Sequence, residues 1–155
     1  MKVKDIMTRE VETCLEITSL PKVATEMLDA GCGAVPVVTP AGAVVGIITD
    51  RDISMALVRT GRKPANVAAR EAMTRTVYSC GPDDDIKKAL ATMQAHHVRR
   101  LPVLSETGRL LGILSLDDII VRALAPDAPT SEAILQALRS ILIYRNARPE
   151  PELVE

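Results

Sequence analysis

The chain lacks phenylalanine and tryptophan altogether and holds only two tyrosines, Tyr78 and Tyr144. A surface that stacks successive bases of single-stranded nucleic acid needs several exposed aromatic rings, so that function is excluded. No excess of either charge is present: 19 Lys and Arg stand against 20 Asp and Glu, for a net charge of −1. A global basic field for DNA or an anionic membrane is therefore absent. No apolar run is long enough to span a bilayer, because Asp50, Arg51 and Asp52 interrupt the best one. The start, Met1-Lys2-Val3-Lys4-Asp5, has no apolar core of the secretory kind, and a cytoplasmic location is expected. Three cysteines, Cys14, Cys32 and Cys80, make an odd count without metal-ligand spacing and read as reduced, mostly buried thiols. Neither a P-loop nor a nucleophile–base pairing is visible, so no argument for an enzyme arises.

What the chain does have is an internal copy of itself. Advancing sixty-six positions carries Met7-Thr8-Arg9 onto Met73-Thr74-Arg75 without a gap. In the same register Cys14 meets Cys80, Met27 meets Met93, Pro36-Val37 meets Pro102-Val103, and Gly46-Ile47 meets Gly112-Ile113. The series ends with Asp52-Ile53 on Asp118-Ile119. Identities sustained in one register indicate a duplicated structural unit. A hydrophobic content of 47% and a charged content of 25% suit a folded domain built from two such units.

Each copy reads strand, helix, strand, strand, helix. In the first, Val11 to Cys14 is β-prone, and Thr18 or Ser19 caps a helix with Pro21 in its first turn. Val23, Ala24, Met27 and Leu28 recur at helical spacing up to Gly31. Ala34–Val38 and Ala43–Ile48 form a hairpin around Thr39-Pro40-Ala41-Gly42, and a closing helix ends before Gly61. In the second copy Asp83, Asp84 and Asp85 open the first helix, and Leu101–Leu104 and Leu110–Leu114 form the hairpin. The units divide as residues 1–60, a connector at 61–68, residues 69–125, and a C-terminal helix with a loose tail at 126–155. Thr130 or Ser131 starts that helix, with Ile134, Leu135, Leu138, Ile141 and Leu142 on one face to be buried. Neither half alone covers both faces of a three-stranded sheet. The expected fold is α+β: two βαββα units packed sheet-to-sheet about a pseudo-twofold axis, plus the C-terminal helix.

One segment carries chemistry twice. Gly46-Ile47-Ile48-Thr49-Asp50-Arg51-Asp52 is answered by Gly112-Ile113-Leu114-Ser115-Leu116-Asp117-Asp118, each at a strand-to-helix junction. A hydroxyl followed three residues later by an acid is a capping box, which needs no ligand. The same junction offers helix N–H groups to a phosphate. A nearby carboxylate, Asp52 or Asp118, suits the hydroxyls of a ribose. The charges around the two copies differ. Arg51 is answered by Asp117, while His97, Arg99 and Arg100 fall opposite Gly31, Gly33 and Ala34. Across a pseudo-twofold core those basic residues converge on one central cleft, for phosphate.

With these motifs, and with Asp5-Ile6-Met7-Thr8 and Glu71-Ala72-Met73-Thr74 at the repeat starts, the chain resembles a tandem pair of cystathionine β-synthase (CBS) domains, a Bateman module, of the stand-alone bacterial or archaeal type. The resemblance covers roughly residues 1–124. It implies a regulatory module, commonly a homodimer, whose clefts bind AMP, ADP or ATP, or NAD or S-adenosylmethionine, with no cofactor required and a protein effector acted on in trans. It further implies that Thr49 and Ser115 contact phosphate or ribose and that Asp52 and Asp118 hold ribose hydroxyls. Backbone and apolar side chains near Val11, Val35, Pro36, Val77, Leu101 and Pro102 enclose adenine on the same basis. The C-terminal helix is the element expected to report a ligand-driven change.

Two other functions fit some of the residues. One is an interaction module whose clefts stay empty, the motifs serving only as helix caps. The other is a small redox- or metal-responsive protein using Cys14, Cys80, His96 and His97. Adjacent histidines do not share a helical face, which argues against a chelating pair. Cys14 and Cys80 read better as small buried hydrophobes than as a disulfide.

Overall fold

In a computed structural model of the chain, residues 1–147 are described, with the backbone alone for 145–147. The expected tail, Arg148 to Glu155, lies outside the described residues. The first unit comprises β1 (Cys14–Leu15), α1 (Leu20–Asp29), β2 (Ala34–Val38), β3 (Val44–Thr49) and α2 (Asp50–Thr60). A short α3 (Ala69–Ala72) opens the second, followed by α4 (Ile86–His96), β4 (Arg100–Leu104), β5 (Leu110–Ser115) and α5 (Leu116–Val121). The C-terminal α6 spans Ser131–Ala147.

Local sequence explains most boundaries. Pro21 sits at the start of α1, where its missing N–H is not needed. Gly61, at φ 58°, closes α2 in the left-handed conformation that a glycine adopts without steric cost. Asp85 caps α4 by accepting the Lys87 N–H at 2.8 Å. Thr130 caps α6, its hydroxyl accepting the Ala133 N–H at 3.2 Å.

The first unit holds a three-stranded sheet, β1-β2-β3, with β1 parallel and β3 antiparallel to β2. The second holds only β4 and β5. Its expected first strand shrinks to one parallel bridge between Cys80 and Val103. Leu15 of the first copy is replaced by Gly81, whose N–H donates to the Asp84 carboxylate at 2.8 Å, just as the Leu15 N–H donates to the Thr18 hydroxyl at 3.0 Å. The first strand of the first unit is likewise shorter than expected, beginning at Cys14 rather than Val11.

Alternation along the strands decides which side chains enter the core. Val35 and Val37 of β2 belong to one cluster, with Leu20, Val23, Met27, Ile48 and Ile53. Leu101 and Val103 of β4 belong to the other, with Ile86, Leu90, Met93, Leu114 and Ile119. The units also exchange their leading segments. Val3 and Met7 pack into the core of the second unit, whereas Val67, Ala69 and Met73 pack into that of the first. Reciprocal backbone bonds hold each exchange: Thr8 with Ile113 at 3.0 and 2.9 Å, and Thr74 with Ile47 at 2.8 and 3.0 Å.

Charges brace the first exchange. Asp83 accepts from Lys4 at 2.7 Å and Lys2 at 2.9 Å. These bonds, that from Lys4 foremost, hold its carboxyl down at about 2. A depressed folded-state value stabilises the fold above the ordinary carboxylate range and loses that contribution as pH falls through about 2. Asp83→Asn is therefore expected to be the less stable chain above pH ~4, with the difference vanishing towards pH 2. Urea unfolding across that range checks this, and a difference that persists unchanged at pH 2 contradicts it.

The helix α6 lies on α4 and α5. Ile134, Ala137 and Ile141 are buried there, with Leu138 packed against them. Leu135 and Leu142, expected on the same face, are instead 64% and 40% exposed. At 100° per residue the buried stripe centres on Ala137 and Leu138, which rotates both leucines outward.

Candidate functional site

Both motif copies form complete capping boxes. Thr49 ends β3 and caps α2: its hydroxyl accepts the Asp52 N–H at 3.1 Å, while Asp52 Oδ2 accepts the Thr49 N–H at 2.9 Å and the Thr49 hydroxyl at 2.7 Å. Ser115 and Asp118 repeat this at 3.1, 2.7 and 2.6 Å at the start of α5. Asp52 Oδ1 has no protein hydrogen-bond partner among the described residues.

The helix start itself departs from expectation. The first three N–H groups of α2 are already satisfied: Asp50 by Gly33 O at 3.2 Å, Arg51 by Asp50 Oδ1 at 2.7 Å, and Asp52 by Thr49. They are not free to cradle a phosphate. Any anion there must be met by side chains instead.

Those side chains converge. A cleft of about 300 Å³ is lined by Thr49, Arg51 and Asp52 from the first unit and by His97, Arg99 and Arg100 from the second. That volume lies at the lower end of small-molecule sites. Thr74, Thr76 and Tyr78 form a further wall, and Ala34, Ile47 and Val98 supply apolar surface. Arg99 lies 3.6 Å from Asp117, a loose and partly exposed pair of small energetic weight. Neither Arg51 nor Arg100 has an anionic partner among the described residues. Asp52 is the one carboxylate among the lining residues, so the cleft carries an excess of positive charge.

His97 turns the chain from α4 towards β4 with φ 55°, the one non-glycine residue at positive φ among the described residues. Its counterpart Gly31 adopts the same conformation at φ 61° without steric penalty. A histidine there costs about 1–2 kcal/mol of strain, the kind that collects at binding sites. Its Nδ1 lies 3.2 Å from the Ser140 hydroxyl, and its ring stacks on Tyr144 with centroids 4.3 Å apart. Tyr78 stacks on His96 at 3.7 Å. Both tyrosines of this aromatic-poor chain thus line one cleft.

The apolar residues linked to adenine by resemblance sit elsewhere. Val35 and Leu101 point into separate cores and are 1% and 0% exposed. Pro36 and Pro102 are buried, Val77 is half-buried, and none of the three lines the cleft. Val11 lines a different depression, with Arg9, Thr13 and Arg109. Ser115 and Asp118 are not among the cleft's lining residues either. At the sixty-six-residue offset, Thr76 and Tyr78 correspond to Glu10 and Glu12, and Arg51 to Asp117. The positions that correspond to the first motif's neighbours are thus acidic in the other copy.

The thiols stand apart from this chemistry. Cys14 and Cys80 belong to separate cores, and burial pushes them up to about 11 and about 12. Thiols so disfavoured as thiolates are poor nucleophiles and poor metal ligands. No group of three or more His, Cys, Asp or Glu suited to a metal ion occurs among the described residues. Nor, among them, is any helix long and apolar enough to cross a membrane.

Two strand-hairpin units with exchanged leading segments, and a cleft shared between them, define a tandem repeat pair. The chain belongs to the CBS domain family, whose model matches residues 3–59 and 69–125. It is 31% identical over 120 residues to the uncharacterized protein MK0525 of Methanopyrus kandleri, covering 77% of this chain and 61% of that protein. It is 38% identical over 117 residues to a homoserine O-acetyltransferase of Methanococcoides burtonii, covering 76% of this chain and 23% of the enzyme. The chain thus spans less than two thirds of either relative. Among solved structures, the CBS domain pair of protein MJ0100, in complex with 5′-methylthioadenosine and S-adenosylmethionine, superposes with a TM-score of 0.71 at 27% identity over 78% of this chain and 94% of that one.

Proposed function

We propose that the chain is a regulatory module that binds a phosphorylated adenosine compound in the cleft shared by its two units, and that binding is its signal to a partner protein. The observation carrying this reading is the convergence of Thr49, Arg51 and Asp52 from one unit with His97, Arg99 and Arg100 from the other. In this reading Asp52 Oδ1 accepts from ribose hydroxyls. Arg51 and Arg100 bind phosphate oxygens, in charge-assisted bonds stronger than neutral ones. Ala34, Ile47, Val98 and the Tyr78 ring receive the base. MJ0100 binds two adenosine compounds that lack phosphate. Three arginines against one carboxylate favour instead a ligand with several negative charges: AMP, ADP, ATP or NAD. At the second motif Asp117 stands in place of Arg51, and Glu10 and Glu12 hold the positions corresponding to Thr76 and Tyr78, which disfavours such a ligand, so one nucleotide per chain is expected.

Calorimetric titration with AMP, ADP, ATP, NAD, S-adenosylmethionine and 5′-methylthioadenosine tests the reading. The phosphorylated ligands are expected to bind, to raise the melting temperature, and to weaken as salt is added. Arg51→Ala with Arg100→Ala is expected to cost ATP about tenfold or more in affinity. Binding of S-adenosylmethionine more tightly than any phosphorylated ligand contradicts the charge argument. One observation favours a second reading, an interaction module with empty clefts: Thr49 and Asp52 already satisfy each other without a ligand. Failure of all six compounds to bind at millimolar concentration decides for it.

A further inference from the structure

We infer that α6, which lies beyond both repeats, forms a wall of the nucleotide cleft, and that its docking on α4 and α5 is coupled to occupancy of that cleft. The inference rests on the nucleotide reading and adds to it the element that responds. One turn of α6 faces the site. Ile141, 3% exposed, and Tyr144, 44% exposed, both line the cleft. Ser140, just before Ile141 and one turn before Tyr144, reaches His97 Nδ1 at 3.2 Å and Gln94 O at 3.5 Å. The Tyr144 ring lies on the His97 ring at 4.3 Å and 9° between planes. His97 is thus held against a helix that no repeat supplies, and Arg99 and Arg100 line the same cleft as that helix's Ile141 and Tyr144: the second family match ends at residue 125, before α6 begins.

The first unit shows what the fold does without such a helix. The groove equivalent to the α6 seat, between α1 and α2, is an open depression lined by Ala24, Met27, Leu28, Ile53 and Ser54. Within the chain, α6 packs on α4 and α5 of the second unit and leaves this face of the first unit open. On the second unit the cover reaches over the ligand cleft, and it adds Ile141 and Tyr144 to the cleft wall. A nucleotide that contacts Tyr144 and the neighbouring cations gains those contacts only while α6 is docked. By linkage, the nucleotide then favours the docked helix as much as the docked helix favours the nucleotide. The outward residues Leu135, Leu142 and Ile143, which are 64%, 40% and 55% exposed, ride on the same helix and carry the response to the surface.

The test uses the full chain with ATP and AMP as probes, reading affinity by calorimetry and amide exchange over Ile134–Tyr144 by mass spectrometry. ATP or AMP is expected to slow exchange across that span. Tyr144→Ala is expected to weaken binding fivefold or more and to abolish the slowing, while Tyr144→Phe retains most of both. Leu135→Ala, on the outer face of the same helix, is expected to bind as the unchanged chain does, which separates a wall contact from a general loosening of α6. Unchanged affinity in Tyr144→Ala, or exchange that nucleotide leaves alone or accelerates, overturns the inference. If Asp52→Ala abolishes binding while Tyr144→Ala does not, the nucleotide function stands and the role of α6 falls. If neither probe binds the unchanged chain, both fall together.

Discussion

Asp52→Ala is expected to weaken nucleotide binding about tenfold or more, the loss that accompanies removal of a hydrogen bond to a charged group, whereas Asp118→Ala leaves the affinity nearly unchanged. The pair is informative because each aspartate has two jobs to distinguish. Asp52 and Asp118 make the same capping box, with the same three bonds at 2.6–3.1 Å, one to α2 and one to α5. Losing such a cap costs about 1 kcal/mol of stability in either unit. Urea unfolding should therefore show two similarly destabilised variants, while calorimetry with ATP shows only one defective binder. The asymmetry follows from what surrounds each carboxylate. Asp52 shares a cleft with Arg51, Arg99 and Arg100, and Asp118 has Asp117 beside it, with Glu10 and Glu12 at the corresponding positions. Equal loss of affinity in both variants would mean two working sites. An Asp52→Ala chain that binds normally would leave Asp52 as a helix cap and nothing more.

The duplication made much of this cleft legible before any coordinates. Aligning the two copies in one register set Arg51 against Asp117, and His97, Arg99 and Arg100 against Gly31, Gly33 and Ala34. The structure brings the four basic side chains into one place. What register could not convey is which neighbour each residue acquires in three dimensions. Val35 and Leu101 belong to the right strands but point into the cores, because alternation puts them on the opposite side from Ala34 and Arg100. The N–H groups of α2 looked available to a phosphate, yet Gly33 O and Asp50 Oδ1 occupy two of them. Gly33 is seventeen residues away and reaches Asp50 only across the hairpin. Tyr144 and Ile141 had no counterpart in the repeat, so no comparison of copies could place them at the site. Their scarcity signal was nevertheless present: a chain with two tyrosines puts both in one cleft.

The exchange of leading segments was likewise hidden, since nothing in residues 1–8 says that Val3 and Met7 belong to the core of the second unit. It leads to the largest expected effect on stability. A Cβ at Gly112 would lie 2.5 Å from Thr8 O and 3.0 Å from Met7 Sδ; one at Gly46 would lie 2.7 Å from Met73 Sδ and 3.0 Å from Thr74 O. These glycines serve the approach of the two units to each other, not of a ligand to the backbone. At Gly46 the nearest obstacle is the end of a flexible methionine, which can move. At Gly112 it is a carbonyl that accepts the Ile113 N–H at 2.9 Å, so relief requires breaking that bond and lifting the segment that carries Val3 and Met7. Gly112→Ala is therefore expected to cost about 3 kcal/mol, the upper part of the range for overpacking, and Gly46→Ala about 1 kcal/mol. Urea unfolding of the two variants side by side checks the order, and a Gly46→Ala chain less stable than Gly112→Ala contradicts it. The effects on binding should rank the other way. Ile47 and Thr74, whose reciprocal bonds adjoin Gly46, both line the nucleotide cleft, whereas Ile113 and Thr8 do not. Calorimetry with ATP on the two variants checks this: Gly46→Ala, the milder lesion to the fold, is expected to bind the more weakly, because the reciprocal bonds it adjoins carry two residues of the cleft wall.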